Sequence, residues 1–363
     1  MTSFEKWKEE FKNRNLYAFN NHPEALLWLK VRAISRRKLM NQFLEANRIA
    51  LKATTIAQQS AELFYHLVER SDAMPMLDAF LQDKSHEWYQ LLGVDDEQLK
   101  EELYKVRQYS WGGDQNNSLD KHLISKYVKA INNYDDLVNK RSEMAENAWN
   151  YVQASWYNNW TSYLIEALFK KHAGVISAAG EIKNVDFFLK GCPIDLKVTF
   201  FPNKYLEERM KAKLGMSEIK WIRLQAKKAG VTADSSLSKN QQIYTLAEKL
   251  SDAGHTDILD EWNKLRKEVI SEDEKDSENL RAWLYTHQGE MRFGAENRLF
   301  LILADAADLT RSWKLKRAFS LIEPRVNAYI NSFNAHSLKD TTFTFKGTKY
   351  KALSDALFVI KKQ

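Results

Sequence analysis

The sequence predicts a mixed α/β protein, with a β-sheet core flanked by helices and a large all-helical N-terminal region. Three observations carry that reading. Up to about residue 140, apolar residues recur at three- and four-residue steps and no strand pattern appears. Two β-rich segments then lie side by side between 185 and 200. Further on, Leu299 to Ala304 is apolar at every position. A chain of 363 residues exceeds one comfortable core, so two domains are expected. The division falls at 1–140 and 141–363, with a helical insertion at about 215–285 in the second part.

Only 12 glycines and 5 prolines punctuate the chain, which favours long helices. Leu39, Phe43, Ala46, Ile49 and Ala50 form one helical stripe, and Ala61, Phe64, Tyr65 and Leu67 another. The segment from Trp111 through Gly112-Gly113 to Ser118 reads as a loop, and helix resumes at Leu119. A further helix runs through Trp149, Val152, Trp156, Trp160 and Tyr163. After Gly174 the pattern changes. Val185 to Leu189 and Ile194 to Phe200 are β-rich, with Lys190-Gly191 as the turn between them. A basic helix follows. The apolar run at 299–304 reads as a strand covered on both faces. Residues 311–333 return to helix. The end of the chain offers a hairpin around Lys346-Gly347 and then a last helix.

Composition excludes several classes. The N-terminus is charged, and no apolar run approaches the ~18 residues of a membrane span. The single cysteine, Cys192, rules out an internal disulfide framework. The cytoplasm is therefore the expected compartment, with no membrane partner. No Gly-rich phosphate loop argues for an ATPase, and no HExxH or Gly-x-Ser-x-Gly element is present. The net charge of +6 is compatible with nucleic acid. Its distribution says more. Lys204, Arg209, Lys211, Lys213, Lys220, Arg223, Lys227 and Lys228 stand against three glutamates between 204 and 228. Of these, Lys204, Arg209, Lys220, Arg223, Lys227 and Lys228 are the candidate nucleic-acid contacts, an ordinary solvated surface being the other reading.

The chemistry sits in the 185–200 hairpin. A two-residue turn makes residues whose numbers sum to 381 face each other, so Asp186 opposes Asp195. Lys197 shares the face of Asp195, because side chains alternate along a strand. Opposed carboxylates ~4 Å apart repel by roughly 4 kcal/mol at an effective dielectric near 20. Lys197 could neutralise one of them. A Mg²⁺ ion could bridge both, since it prefers carboxylate and phosphate oxygens. Such an ion polarises phosphate and activates water, with Lys197 holding or deprotonating the water or offsetting transition-state charge. The competing reading is a solvated hairpin face with Lys197 in a surface ion pair.

Val185-Asp186, eight residues, then Asp195-Leu196-Lys197 resembles the signature of the PD-(D/E)XK nucleases, the restriction-endonuclease-like superfamily. Val185 stands where the family name has Pro. Five Asp/Glu-x-Lys triplets occur, led by Glu10, Glu181, Asp195, Glu218 and Asp273. Three of them fall in expected helix or acidic linker, and Glu181 has no acidic residue on a strand before it. The family's order of helix, β-meander, helix and further strand is similar to 155–172, 185–200, 204–228 and 298–304 here. The resemblance covers about a third of the chain. It implies a restriction-endonuclease-like core, a Mg²⁺ cofactor, and Glu166 on the preceding helix as a further catalytic and metal-binding carboxylate beside Asp186 and Asp195. The expected activity is Mg²⁺-dependent cleavage of double-stranded DNA by a type II restriction-like or other defence endonuclease, acting as a homodimer. The N-terminal region would recognise the target or pair the protomers. Residues 217–250 also resemble a small DNA-binding helix-extended-helix module, against the plainer reading of a helical insertion. The rival function for the whole chain is a non-catalytic helical nucleic-acid-binding or scaffold protein.

Overall fold

The computed structural model describes residues 2–362 apart from 14, 21, 112–117, 179–181, 183, 233–238, 288–295 and 335. The expected loop at 111–118 falls almost wholly outside the described residues. So do Glu181, Lys183 and most of the extended piece expected between 230 and 239.

The first part of the chain is built from α1 (Ser3–Lys12), α2 (Pro23–Ala33), α3 (Arg37–Ala46), α4 (Ile56–Val68) and α5 (Ala73–Leu92). Then come α6 (Asp96–Tyr104), α7 (Leu119–Leu123) and α8 (Tyr134–Asn139). Its described residues contain no strand. Helix α3 is shorter than its stripe suggests. It ends at Ala46, and Arg48 takes a φ of 53°, so Ile49 and Ala50 lie beyond it.

The long helix α9 (Arg141–Lys170) leads into three short strands, β1 (Val175–Ser177), β2 (Phe187–Leu189) and β3 (Cys192–Phe200). Helix α10 (Asn203–Leu214) follows, and then the inserted helices α11 (Glu218–Lys228), α12 (Lys239–Asp252), α13 (Thr256–Lys275) and α14 (Glu278–His287). Strand β4 (Arg298–Asp305), a 3-10 segment at Leu309–Arg317, α15 (Phe319–Ser332), β5 (Lys339–Phe345) and β6 (Thr348–Lys361) complete the chain.

The six strands form one mixed sheet in the order β1-β2-β3-β4-β6-β5. The first three make an antiparallel meander, β4 runs parallel to β3 and to β6, and β5 is antiparallel to β6. Strand β4 is buried along its whole length. Leu299, Leu301 and Leu303 enter a core made with α9 and α15. Phe300, Ile302 and Ala304 enter the opposite core, made with α10, α13 and α14. An unbroken apolar run is what a strand covered on both faces requires.

The expected boundary at 140 does not separate cores. Ala178, Ile182, Val185 and Phe188 are buried among the N-terminal helices, while Leu99 and Leu103 of α6 lie in the core beneath α9. The insertion begins as a satellite, with Trp221, Ile222, Leu246 and Leu250 forming a small core of their own. Its last two helices return to cover the sheet. No described helix is long and apolar enough to cross a membrane.

The end of the chain departs from expectation. In place of a last helix, β6 continues out of the hairpin to Lys361. Ala352, Leu353, Ala356, Leu357 and Ile360 satisfy a helical period, so pattern alone points to a helix. The edge of β4 not paired with β3 decides it. From Arg298 opposite Ser354 to Asp305 opposite Lys361, β4 is paired residue by residue with β6, and buried backbone groups need that pairing.

Leu301→Ala should lower unfolding free energy by about 3 kcal/mol, because this side chain is fully buried mid-strand and its neighbours cannot collapse into the void. Urea titration should show a lower midpoint at unchanged slope.

Candidate active site

The hairpin that carries the candidate residues turns at Lys190 and Gly191, with φ values of 46° and 87°. Two successive left-handed residues make the tight turn that matches strand twist, and glycine takes the second without strain. Phe187 then pairs with Ile194, Phe188 with Pro193 and Leu189 with Cys192. This is the register of sum 381.

Strand β2 starts only at Phe187, so Asp186 sits at the bend before it. Its N–H donates to the Ile194 carbonyl at 2.8 Å, and its Oδ2 accepts the Leu196 N–H at 2.8 Å. The carboxylate is thus tied to the backbone of β3 one residue from Asp195. Phe187, Leu189, Ile194 and Leu196 pack beneath α9 as the alternation requires. Val185 departs from that face and joins the N-terminal core together with Phe188.

Asp195 opens the parallel pairing of β3 with β4, where its partner is Arg298. The Arg298 Nε donates to Asp195 Oδ2 at 2.8 Å, and its Nη2 meets Glu296 Oε2 at 3.3 Å. The guanidinium also lies over the Tyr285 ring, 5.2 Å from its centroid, and the Tyr285 hydroxyl donates to the Glu296 carbonyl at 2.6 Å. Sequence reasoning missed Arg298. Its one signal was a charge heading an otherwise apolar strand, and nothing local tells which residue a parallel strand sets beside it. Lys197 is exposed, and no carboxylate lies within ion-pair distance of it among the described residues. Direct neutralisation of Asp195 therefore comes from Arg298, while Lys197 acts on it through space.

Burial pushes the Asp186 pKa up to about 6, and the nearby charges of Asp195 and Glu166 add to that; the Leu196 N–H and Lys170 pull against it. Burial also raises Asp195, opposed by the charge and hydrogen bond of Arg298 and by Lys197. Glu166 lies on α9 and pairs with Lys170 at 2.8 Å, one helical turn on. It is close enough to perturb both aspartates. Among the described residues, however, no three His, Cys, Asp or Glu side chains gather in an arrangement that could hold a metal ion. The expected set of Asp186, Asp195 and Glu166 is therefore not assembled as a three-carboxylate centre. A second amine was also missed. Lys316 is buried, donates to Asn158 Oδ1 at 2.8 Å, and is held down to about 8 by burial and then by the charge of Lys197.

The basic stretch divides in two. Arg209 pairs with Asp273 at 3.1 Å and Glu272 at 3.0 Å, and Lys213 pairs with Glu272 at 2.7 Å. Asp273 is buried, and Tyr205 also donates to it, at 2.9 Å. Arg209 thus holds α10 to α13 rather than standing free for a phosphate. The acidic run around 272–276 is correspondingly not a linker but the end of α13. Arg223 donates to Gln242 and joins α11 to α12. Lys204, Lys220, Lys227 and Lys228 are exposed.

No protein-family model, curated protein or solved structure matches this chain.

Arg298→Ala should destabilise the fold by about 3–5 kcal/mol, because Asp195 and Glu296 would keep buried charge without their cation. Chemical denaturation measures this, and a loss below 1 kcal/mol would mean that the pair is solvated. A pH dependence follows from Asp186. Its folded pKa lies above the ordinary carboxylate value, so the folded state binds the proton more tightly than the unfolded state. Without divalent cation, its ionisation should cost no stability below pH ~4, a growing amount between ~4 and ~6, and a constant amount of order 1–3 kcal/mol above that. Asp186→Asn keeps an acceptor for the Leu196 N–H and removes the charge. The stability gained by this variant over the wild type should therefore rise across the same window and then level off.

Proposed function

We propose that the chain is a Mg²⁺-dependent DNA endonuclease of the PD-(D/E)XK kind, restriction-like or serving another defence role. One observation carries the reading: Asp186 is tied to the Leu196 N–H beside Asp195, with Lys197 one alternation further along the same strand. The order of α9, the β1–β3 meander, α10 and parallel β4 supports it.

The two aspartates fit a divalent cation. Each is partly buried, each commits Oδ2 to a donor, and neither Oδ1 has a hydrogen-bond donor among the described residues. Burial raises both pKa values, helped at Asp186 by the charges of Asp195 and Glu166 and at Asp195 by that of Glu166, which a cation would reverse. When bound, such an ion polarises the scissile phosphate and makes water a competent nucleophile near neutral pH. Arg298 holds Asp195 in one orientation and offsets part of its charge. Lys197 is free to bond the attacking water or a phosphate oxygen, stabilising negative charge that develops as the phosphodiester is attacked. Glu166, already paired with Lys170, tunes the aspartates from α9. Duplex DNA is the default substrate of this reading, and a homodimer would match a palindromic site.

The Arg298 pairing also favours a second reading, in which Asp195 is a structural ion-pair member and the chain is a non-catalytic nucleic-acid-binding protein. Plasmid nicking with Mg²⁺ or Mn²⁺ separates the two. The wild type should cleave and Asp195→Asn should not. Lys197→Ala should lose at least ~100-fold in rate yet still bind Mg²⁺ by calorimetry. A wild type that neither binds divalent cation nor cuts, or an Asp195→Asn variant that cuts normally, would sink the nuclease reading.

A further inference from the structure

Between α3, α5 and the C-terminal end of α9 lies a cleft of about 620 Å³, lined by Arg36, Lys38, Lys84 and Lys170, with Glu87 the one acid among its described lining residues. It shares Ser85, Tyr89, Lys170 and Ser177 with an adjoining cleft of about 590 Å³ that adds the acid Asp83, His172 and Lys171, the last paired with Asp96. The two make one continuous basic trough. Its inner end reaches the candidate site by two routes. Lys170 pairs with Glu166 and lowers the Asp186 pKa, and Ser177 of β1 is the strand partner of Phe187, the residue after Asp186.

The outer wall is aromatic. Trp88 is 52% exposed although it stands on a helix with a packed face, and Leu91 beside it is more exposed still. Trp88 contacts Tyr89 and Tyr163 with ring centroids at 4.9 Å and 6.2 Å, and Tyr163 precedes Glu166 by one helical turn. An aromatic platform therefore runs from the mouth of the trough toward the carboxylates. Lys38 has no acidic partner among the described residues, and Lys84 is only countered by the exposed Glu87 at 2.7 Å.

We propose that this trough binds single-stranded nucleic acid, its cations taking the phosphates and Trp88 stacking on a base. Charge fixes the polyanion, and the ring fixes the unpaired strand. In a duplex the bases already stack on one another and expose only their edges, so an open indole face gains little from it. An unpaired base presents its π-face to any aromatic, whatever its identity. The inference rests on the nuclease reading and narrows its substrate from plain duplex to DNA with an unpaired strand leading to Asp186 and Asp195. It also replaces the 204–228 surface as the primary contact, since Arg209 and Arg223 there are engaged within the fold.

The test is fluorescence anisotropy in EDTA with the full chain, using labelled oligothymidylate of about 20 nucleotides and a duplex of equal length. The single strand should bind at least tenfold more tightly than the duplex at matched salt. Trp88→Ala should weaken it by about 5- to 100-fold. Lys38→Ala with Lys84→Ala should reduce the slope of log affinity against log salt by about 1.4, at ~0.7 per phosphate contact. Trp88 and Lys38 are exposed and Lys84 is half-buried, and circular dichroism would check that the variants stay folded. Unchanged binding in both variants, preference for the duplex, or no binding by the wild type would overturn the proposal. Plasmid cleavage with Mg²⁺ tells that failure from failure of the nuclease reading. Cleavage with unaltered binding in the trough variants removes the trough alone. Trough-dependent binding without cleavage removes the nuclease and leaves a single-strand-binding protein.

Discussion

Asp195 lies at the start of the buried parallel pairing between β3 and β4, where a lone carboxylate would be strongly disfavoured. Arg298 supplies the charge that lets it stay there. The same guanidinium reaches Glu296 and rests on Tyr285, so one side chain ties β3, β4 and α14 together. Everything proposed for the site depends on this pairing. It sets where Asp195 sits, and Asp186 is set in turn by the Leu196 N–H one residue further along. Such a network stabilises only while complete, since removing one member leaves the others buried and unmatched.

The N-terminal helices are part of the same construction. Phe188 of β2 is buried among them, with the Lys30 ammonium 5.4 Å from its ring centroid. Lys30 is itself buried and paired with Asp78, which links α2 and α5 to the sheet. Asn20 and Asn297 exchange hydrogen bonds at the entrance to β4, and Asn297 also donates to the Pro193 carbonyl at 3.2 Å and accepts the Asp195 N–H at 2.9 Å. The helical region therefore braces the hairpin beside its carboxylates. A region that packs in this way is placed to shape what approaches them, which a tethered arm would not be.

Charge counted along the sequence does not tell which cations are engaged within the fold. Arg209 looked like one member of a basic surface, yet it joins Tyr205 and Asp273 in a partly buried cluster between α10 and α13. The cations of the trough come in short pieces far apart in the sequence, Arg36 with Lys38, then Lys84, then Lys170 with Lys171. Runs of like charge are easy to read and are often solvated or paired. Surfaces assembled from distant segments are not readable until the segments meet.

Local information was enough for the hairpin. The Lys190-Gly191 turn set its register, alternation set which residues share a face, and the apolar run at 299–304 required a strand covered on both sides. The helical character of the first 140 residues followed from periodicity in the same way. What the sequence left open were interactions between segments far apart. The C-terminal segment fits a helical period, and only the unpaired side of β4 makes it a strand. The start of β2 was drawn two residues early because Asp186 gives its side chain to the Leu196 N–H. Arg298 reaches Asp195 across 103 residues of chain. Turns and alternation are properties of neighbouring residues, so sequence alone determines them; parallel pairing and buried charge balance depend on which surfaces come together, so only the tertiary structure decides them.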